Sequence, residues 1–135
     1  MPSSLRAHLL EGQVIPALPL ALGRDRRWDE RRQRAVVRYY ADAGAGGLAV
    51  GVHSTQFAIR DPRHGLFEPV LSLAAAEARS WRRGPTPFAL IAGLCGRTTQ
   101  AVREARTAAG LGYDAGLLSL GAWARDDERA VLAHC

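Results

Sequence analysis

The sequence predicts an α/β protein of four consecutive βα units with parallel strands, half of a TIM (β/α)8 barrel. Three observations predict it. From residue 14 onward, short apolar runs alternate with longer stretches of helical period. Glycine and proline punctuate the joins, and the apolar runs are continuous, as in strands covered on both faces.

The first strand is expected near 14–18, where Val14-Ile15-Pro16-Ala17 precedes a loop. Asp29 then offers a side-chain oxygen to cap a helix. Val36, Tyr39, Tyr40 and Ala43 fall on one apolar face of it, Glu30 and Arg34 pair at i, i+4, and Gly44 ends it. A second strand is expected near 47–52, reading Gly47-Leu48-Ala49-Val50-Gly51-Val52. After a loop with Pro62 and Gly65, the spacing of Phe67, Leu71, Ala74, Ala78 and Trp81 predicts a helix with Pro69 in its first turn, broken by Gly84-Pro85. The third strand is expected near 88–93. Thr98 is its following cap, with Val102, Ala105 and Ala109 facing inward, and Gly110 and Gly112 close that helix. The fourth strand is expected near 115–120, and Asp126 caps a last helix that reaches Cys135.

All 135 residues are read as a single domain. Strand starts near 14, 47, 88 and 115 give units of about 30 to 40 residues, and eight such units make the roughly 250 residues of a closed barrel. Four make a half-barrel, truncated before its second half. The turn after the first strand has no G-x-G-x-x-G, so an open dinucleotide-binding sheet loses its main support.

With 47% hydrophobic and 23% charged residues, the composition is that of a globular domain. All 18 basic residues are arginine, so no lysine is present for imine chemistry. The net charge of +5 could attract nucleic acid. Seven arginines between Arg24 and Arg38 are interleaved with Asp25, Asp29 and Glu30, however, which reads as a solvated face and does not favour that partner. Cys95 and Cys135 form neither a disulfide framework nor a ligand spacing, so a reduced, cytoplasmic setting is expected. The apolar stretch from Val14 to Leu22 is too short for a membrane span, which needs about 20 residues, and it contains Pro16 and Pro19.

The segments Gly12 to Leu22, Asp42 to Phe57, Pro87 to Thr98 and Leu111 to Leu120 resemble the first four strands of the dihydrodipicolinate synthase and N-acetylneuraminate lyase family. Ala43-Gly44-Ala45-Gly46-Gly47-Leu48-Ala49-Val50 is similar to the family's helix-to-strand segment. Gly51-Val52-His53-Ser54-Thr55-Gln56-Phe57 stands where the family carries G-T-T-G-E. Pro87-Phe88-Ala89-Leu90-Ile91-Ala92-Gly93, followed by Gly96 and Thr98, resembles the third strand and the threonine-capped helix after it.

The resemblance implies a lyase of the class I aldolase type. It would hold pyruvate or a related 2-oxo acid as a Schiff base on a sixth-strand lysine, with a fourth-strand tyrosine relaying protons and a threonine pair gripping the carboxylate. No cofactor and no metal are expected. Matching hydroxyl to hydroxyl places Ser54 and Thr55 on the threonine pair, which leaves His53 and Phe57 on the flanking positions. A one-residue shift places His53 and Ser54 there instead. Short hydroxyl donors suit a carboxylate clamp, and they equally suit the backbone groups of a loop. Gly121-Ala122-Trp123 replaces the family's P-Y-Y, so Ala122 or Trp123 stands where the phenol would be. No complete catalytic set is therefore expected here. His53 could act as acid or base, or be a plain surface residue. Cys95 is a candidate nucleophile or an inert buried thiol, and Tyr39 and Tyr40 sit on a helix, away from the missing phenol. His8, His64 and His134 are too scattered for a metal site.

The function expected is that of an N-terminal fragment of a 2-oxo acid aldolase or lyase, inactive alone for want of the lysine. The alternative is a non-catalytic half-barrel that self-associates as a homo-oligomer or pairs with a complementary chain. It would cover an open inner face expected to hold Ala17, Leu48, Val50, Leu90, Ala92, Leu117 or their neighbours.

Overall fold

The computed structural model describes residues 3–82 and 84–135. Three of the expected apolar runs form strands: β1 (Gly47–Val50), β2 (Ala89–Leu94) and β3 (Ala115–Leu118). They pair in the order β1-β2-β3, all parallel. The helices are α1 (Ser3–Leu10), α2 (Glu30–Asp42), α3 (Phe67–Trp81), α4 (Thr98–Gly110) and α5 (Glu128–His134). Short α1 precedes the first repeat and has no counterpart in the sequence reading.

The run at 14–18 is extended and lies along β1, but it joins the sheet by a single bridge, Ala17 to Ala49. Gly46 donates to Val14 O at 3.0 Å, Ala49 to Pro16 O at 2.9 Å, and Leu18 to Ala49 O at 2.8 Å. Pro16 has no N–H to give back to β1. Beyond it the Leu18 carbonyl and the Leu20 N–H are taken by Thr55 Oγ1 and Ser54 O, so the ladder does not continue and the expected first strand is an edge segment.

Register decides which side chains meet the helices. Leu48 pairs with Leu90, and Val50 with Ala92, which in turn pairs with Gly116, so these residues share one face. That face packs on Val70, Leu71, Ala74 and Ala78 of α3 and on Ala108 of α4 in one cluster. Each fully buried leucine or valine there contributes about 1.5–3 kcal/mol. The opposite, barrel-inner face carries Ala17, Ala49, Ile91 and Leu117. Two of the residues expected there are kept, and neighbours of the others, Ala49 and Ile91, take their places. Ala17 and Leu117 lie on that face, whereas Leu48, Val50, Leu90 and Ala92 point to the helices. Continuous apolar runs carry no alternation to tell the two faces apart.

Of the helices, α3 buries Leu71, Ala74 and Ala78 as its spacing predicts, whereas α2 and α4 are rotated against expectation. Asp29 caps α2 by accepting from Arg32 N at 3.0 Å, as its position predicts. The buried stripe is Gln33 and Val37, with the expected Val36 and Tyr40 packed against the core, while Tyr39 is two-thirds exposed. Gln33 turns the helix because its amide makes three bonds below: it donates to Pro19 O at 3.0 Å and accepts from Ala21 N at 2.9 Å and from the Trp28 indole at 3.2 Å. In α4 the inward residues are Ala101, Glu104 and Ala108, and Val102 is exposed. Thr98 begins α4 without capping it, and Asp127, one residue after the expected Asp126, caps α5 through Ala130 N at 2.8 Å.

Two buried polar groups tie the layers together. Glu77 of α3 accepts from Arg34 at 2.9 Å and from Arg38, both on α2. Tyr113, just before β3, donates to Leu71 O at 2.9 Å, and burial pushes its phenol well above the ordinary range.

Candidate functional site

Because all three strands run parallel, the segments leaving their C-terminal ends emerge on one side of the sheet. These are residues 51–60, 95–97 and 119–123. The expected site residues His53, Ser54, Ala122 and Trp123 therefore lie at the same end. Gly93 of β2 lets the segment leaving β1 pass close beside it, since a Cβ there would collide with the carbonyl of Gly51.

The loop after β1 is built of two short 3-10 turns, His53–Thr55 and Phe57–Arg60, joined by Gln56 in a left-handed conformation (φ 73°). Thr55 is fully buried. Its hydroxyl donates to Leu18 O at 2.6 Å and accepts from Gly51 N at 3.0 Å, so the one proton it could offer a carboxylate is already committed. Ser54 and His53 are exposed beside it, and the His53 ring lies 5.7 Å from that of Phe57. Of the two hydroxyls matched to the clamp, Thr55 pins the loop and Ser54 faces solvent.

Beneath this loop sits a pair of charges that the sequence reading missed. Arg60 Nε donates to both carboxylate oxygens of Glu104, at 3.0 and 3.1 Å, and its Nη2 donates to Gly93 O at 2.9 Å. Glu104 also accepts from Cys95 N at 2.9 Å and from Gln100 at 2.8 Å. Both side chains are nearly buried, at 10% and 5% exposure, and the Arg60 guanidinium lies 4.7 Å over the Phe67 ring. The pair joins residues 44 positions apart, so no local spacing announces it. The sequence offers only an arginine within a segment expected to be loop, and Glu104 lies off the face of Val102, Ala105 and Ala109 expected to turn inward.

At the end of β3, Trp123 replaces the expected phenol in a different setting. Arg97 lies 4.2 Å over its ring, His134 stacks on it at 4.5 Å, and Asp126 holds Arg97 at 2.8 Å. His134 Nδ1 meets Thr98 Oγ1 at 2.9 Å. Ala122 is exposed. No hydroxyl capable of relaying a proton stands at either position. Cys95 is half-buried, and burial pushes its thiol up; the Arg60 charge opposes this and Glu104 adds to it. A raised thiol holds less thiolate at neutral pH, which weighs against a nucleophile there.

Tyr39 and Tyr40 lie on α2, edge to face at 5.7 Å. Among the described residues no group of three or more histidine, cysteine or acidic side chains could hold a metal ion, and no helix is long and apolar enough to cross a membrane.

No family model matches the chain, and no curated protein matches it significantly. Solved structures do. A candidate dihydrodipicolinate synthetase from Pseudomonas aeruginosa superposes with a TM-score of 0.73 at 18% identity, over 90% of this chain and 39% of that one. Dihydrodipicolinate synthase from Bacillus clausii gives 0.73 at 15% identity with the same coverage. Sialic acid aldolase from Ruminococcus gnavus gives 0.57 at 22% identity, over 78% of this chain and 33% of that one. The chain spans about two-fifths of the length of the first two structures. At these identities the likeness is one of fold, and the chain has the α/β fold of part of a dihydrodipicolinate synthase or sialic acid aldolase barrel.

Proposed function

We propose that this chain supplies the carboxylate-gripping rim of an aldolase-type barrel that acts on a pyruvate-like 2-oxo acid. The observation that carries the reading is the fold likeness to two kinds of barrel, together with a hydroxyl-bearing loop at the C-terminal end of β1. Ser54 is the free hydroxyl of that loop and His53 its titratable neighbour. Thr55 serves the same site indirectly by fixing the loop. The grip is electrostatic: short donors held in place before the ligand arrives stabilise its charge without reorganisation.

The covalent step is not assigned to these residues. The resemblance places the imine on a sixth-strand lysine, and the sequence contains neither that strand nor any lysine. Trp123 cannot relay a proton as a phenol does. What this chain does is bind and orient. Amide NMR with pyruvate tests it: signals of residues 53–57 should shift on titration, and Ser54→Ala should weaken binding about three- to tenfold. Shifts confined to other parts of the chain, or none at all, would sink the reading.

A second reading has its own observation. Leu117 on the barrel-inner face is 57% exposed, Leu120 beyond it is 42% exposed, and β3 pairs on one side only. An open edge beside exposed leucines is what a second copy or a complementary half-barrel would cover. Light scattering after size exclusion decides it. A dimer that Leu117→Asp converts to monomer supports pairing of this face, and a wild-type monomer at micromolar concentration removes pairing with a second copy.

A further inference from the structure

The loop after the edge segment is not irregular. Leu22 and Trp28 form an antiparallel bridge, Asp29 N donates to Ala21 O at 2.9 Å, and Gly23 N donates to Arg27 O at 2.9 Å, so residues 21–29 make a small hairpin. Gln33 anchors it from below, as described above. Facing the hairpin is the segment 56–66. Between them lies a cleft of about 660 Å³, within the range of sites that take small ligands.

Its chemistry is mixed in a particular way. Leu20, Leu22, Trp28 and Leu66 give an apolar lining, and Arg26 and Arg27 stand at the hairpin wall. Neither arginine lies within ion-pair distance of a carboxylate among the described residues, and no acidic side chain lines the cleft. Arg63 and His64 add to the opposite wall, although Arg63 is already paired with Asp61.

Backbone conformation marks the same place. Among the described residues only two non-glycine residues have positive φ, Arg26 at 60° and Gln56 at 73°, and they line this cleft from opposite walls. Such a conformation costs an arginine or glutamine on the order of 1 kcal/mol that glycine would not incur. Held sites of this kind gather at ligand clamps. The arginine fork recognises carboxylate and phosphate alike through paired N–H donors.

We infer that the cleft between the 21–29 hairpin and the 56–66 segment binds a small organic oxyanion, an apolar group carrying a carboxylate or phosphate. The inference is independent of the 2-oxo acid reading. Pyruvate has no apolar body to fill this lining.

Calorimetry on the full chain tests it with 1-naphthylacetate, 1-naphthyl phosphate, the neutral 1-naphthylacetamide and inorganic phosphate. At least one naphthyl anion is expected to bind tenfold or more tightly than both the amide and inorganic phosphate, and to shift the Trp28 indole N–H signal. The variant R26G/R27Q is expected to lose at least tenfold. Glycine suits the φ at 26, so its melting temperature should stay at or above that of the wild type and the loss cannot be laid to unfolding. Equal binding of the amide, unchanged affinity in the double variant, or no binding of either anion would overturn the inference.

Discussion

Replacing Thr55 with valine keeps the shape of the side chain and removes its hydroxyl. In the folded protein that hydroxyl serves two backbone groups at once, the Gly51 N–H and the Leu18 carbonyl, and Thr55 itself is fully buried. No water reaches the site to substitute. Leaving a buried donor or acceptor unpaired costs about 1–3 kcal/mol each, and the carbonyl sits at the lower end, so the sum is about 2–4 kcal/mol. Thr55→Ser keeps both bonds and loses one buried methyl, at about 1 kcal/mol. Ser54→Ala, on the exposed neighbour, should change stability by less than about 0.5 kcal/mol. Urea unfolding followed by circular dichroism reads all three, as shifts in midpoint at constant slope. Against a total domain stability of about 5–15 kcal/mol the valine variant should stand well apart. A Thr55→Val protein no less stable than Thr55→Ser would show that the hydroxyl does not pin the loop.

Burial alone would raise the Glu77 carboxyl, but hydrogen bonds from Arg34 and Arg38 overcome this and hold it below its ordinary value. A carboxylate depressed on folding adds stability above its unfolded pKa of about 4.3, lost as pH falls through the folded value. Glu77→Gln should therefore cost about 1–2 kcal/mol at pH 7, discounted because both arginines are nearly half exposed, and should flatten the pH dependence of urea midpoints below about pH 4.5. Iodoacetamide at pH 7.5 should label the exposed Cys135 faster than Cys95, whose thiol burial pushes up; equal rates would contradict that environment. Pyruvate with borohydride should leave no reduced adduct other than at the N-terminal amine, because the sequence has no lysine; mass spectrometry of peptides checks it.

Sequence and structure agree best where local physics suffices. The apolar runs at 47, 88 and 115 became strands because each is bracketed by turn residues and long enough to pair, and Asp29 capped its helix by a contact only three residues long. What failed was rotation. An unbroken run such as Leu48-Ala49-Val50 carries no period, so its helix-facing side appears only through the register with Leu90 and Ala92. On α2 the apolar count favoured Tyr39, and the winner was Gln33, a polar residue whose three partners come from the hairpin and edge segment. The candidate site was legible as a place and not as a mechanism. Its position follows from parallel strands, whereas the division of roles between Thr55 and Ser54 turns on burial, which no neighbouring residue encodes. The Arg60 and Glu104 pair spans two βα units, and nothing within either unit points to the other.

That pair changes what kind of object the rim is. In barrels of this type the loops at the strand ends are commonly exchangeable parts, each free to vary while the strands stay fixed. Here one guanidinium reaches from the first rim loop to the carbonyl of Gly93 and to a carboxylate that in turn holds the amide of Cys95. The two loops are therefore a single mechanical unit. A graft that replaces residues 53–60 without 93–104 strands a buried carboxylate, and the reverse graft strands a buried cation, each at a cost of about 3–5 kcal/mol. Variation at this rim has to proceed by paired replacement, which narrows the routes by which such a scaffold could acquire a new specificity.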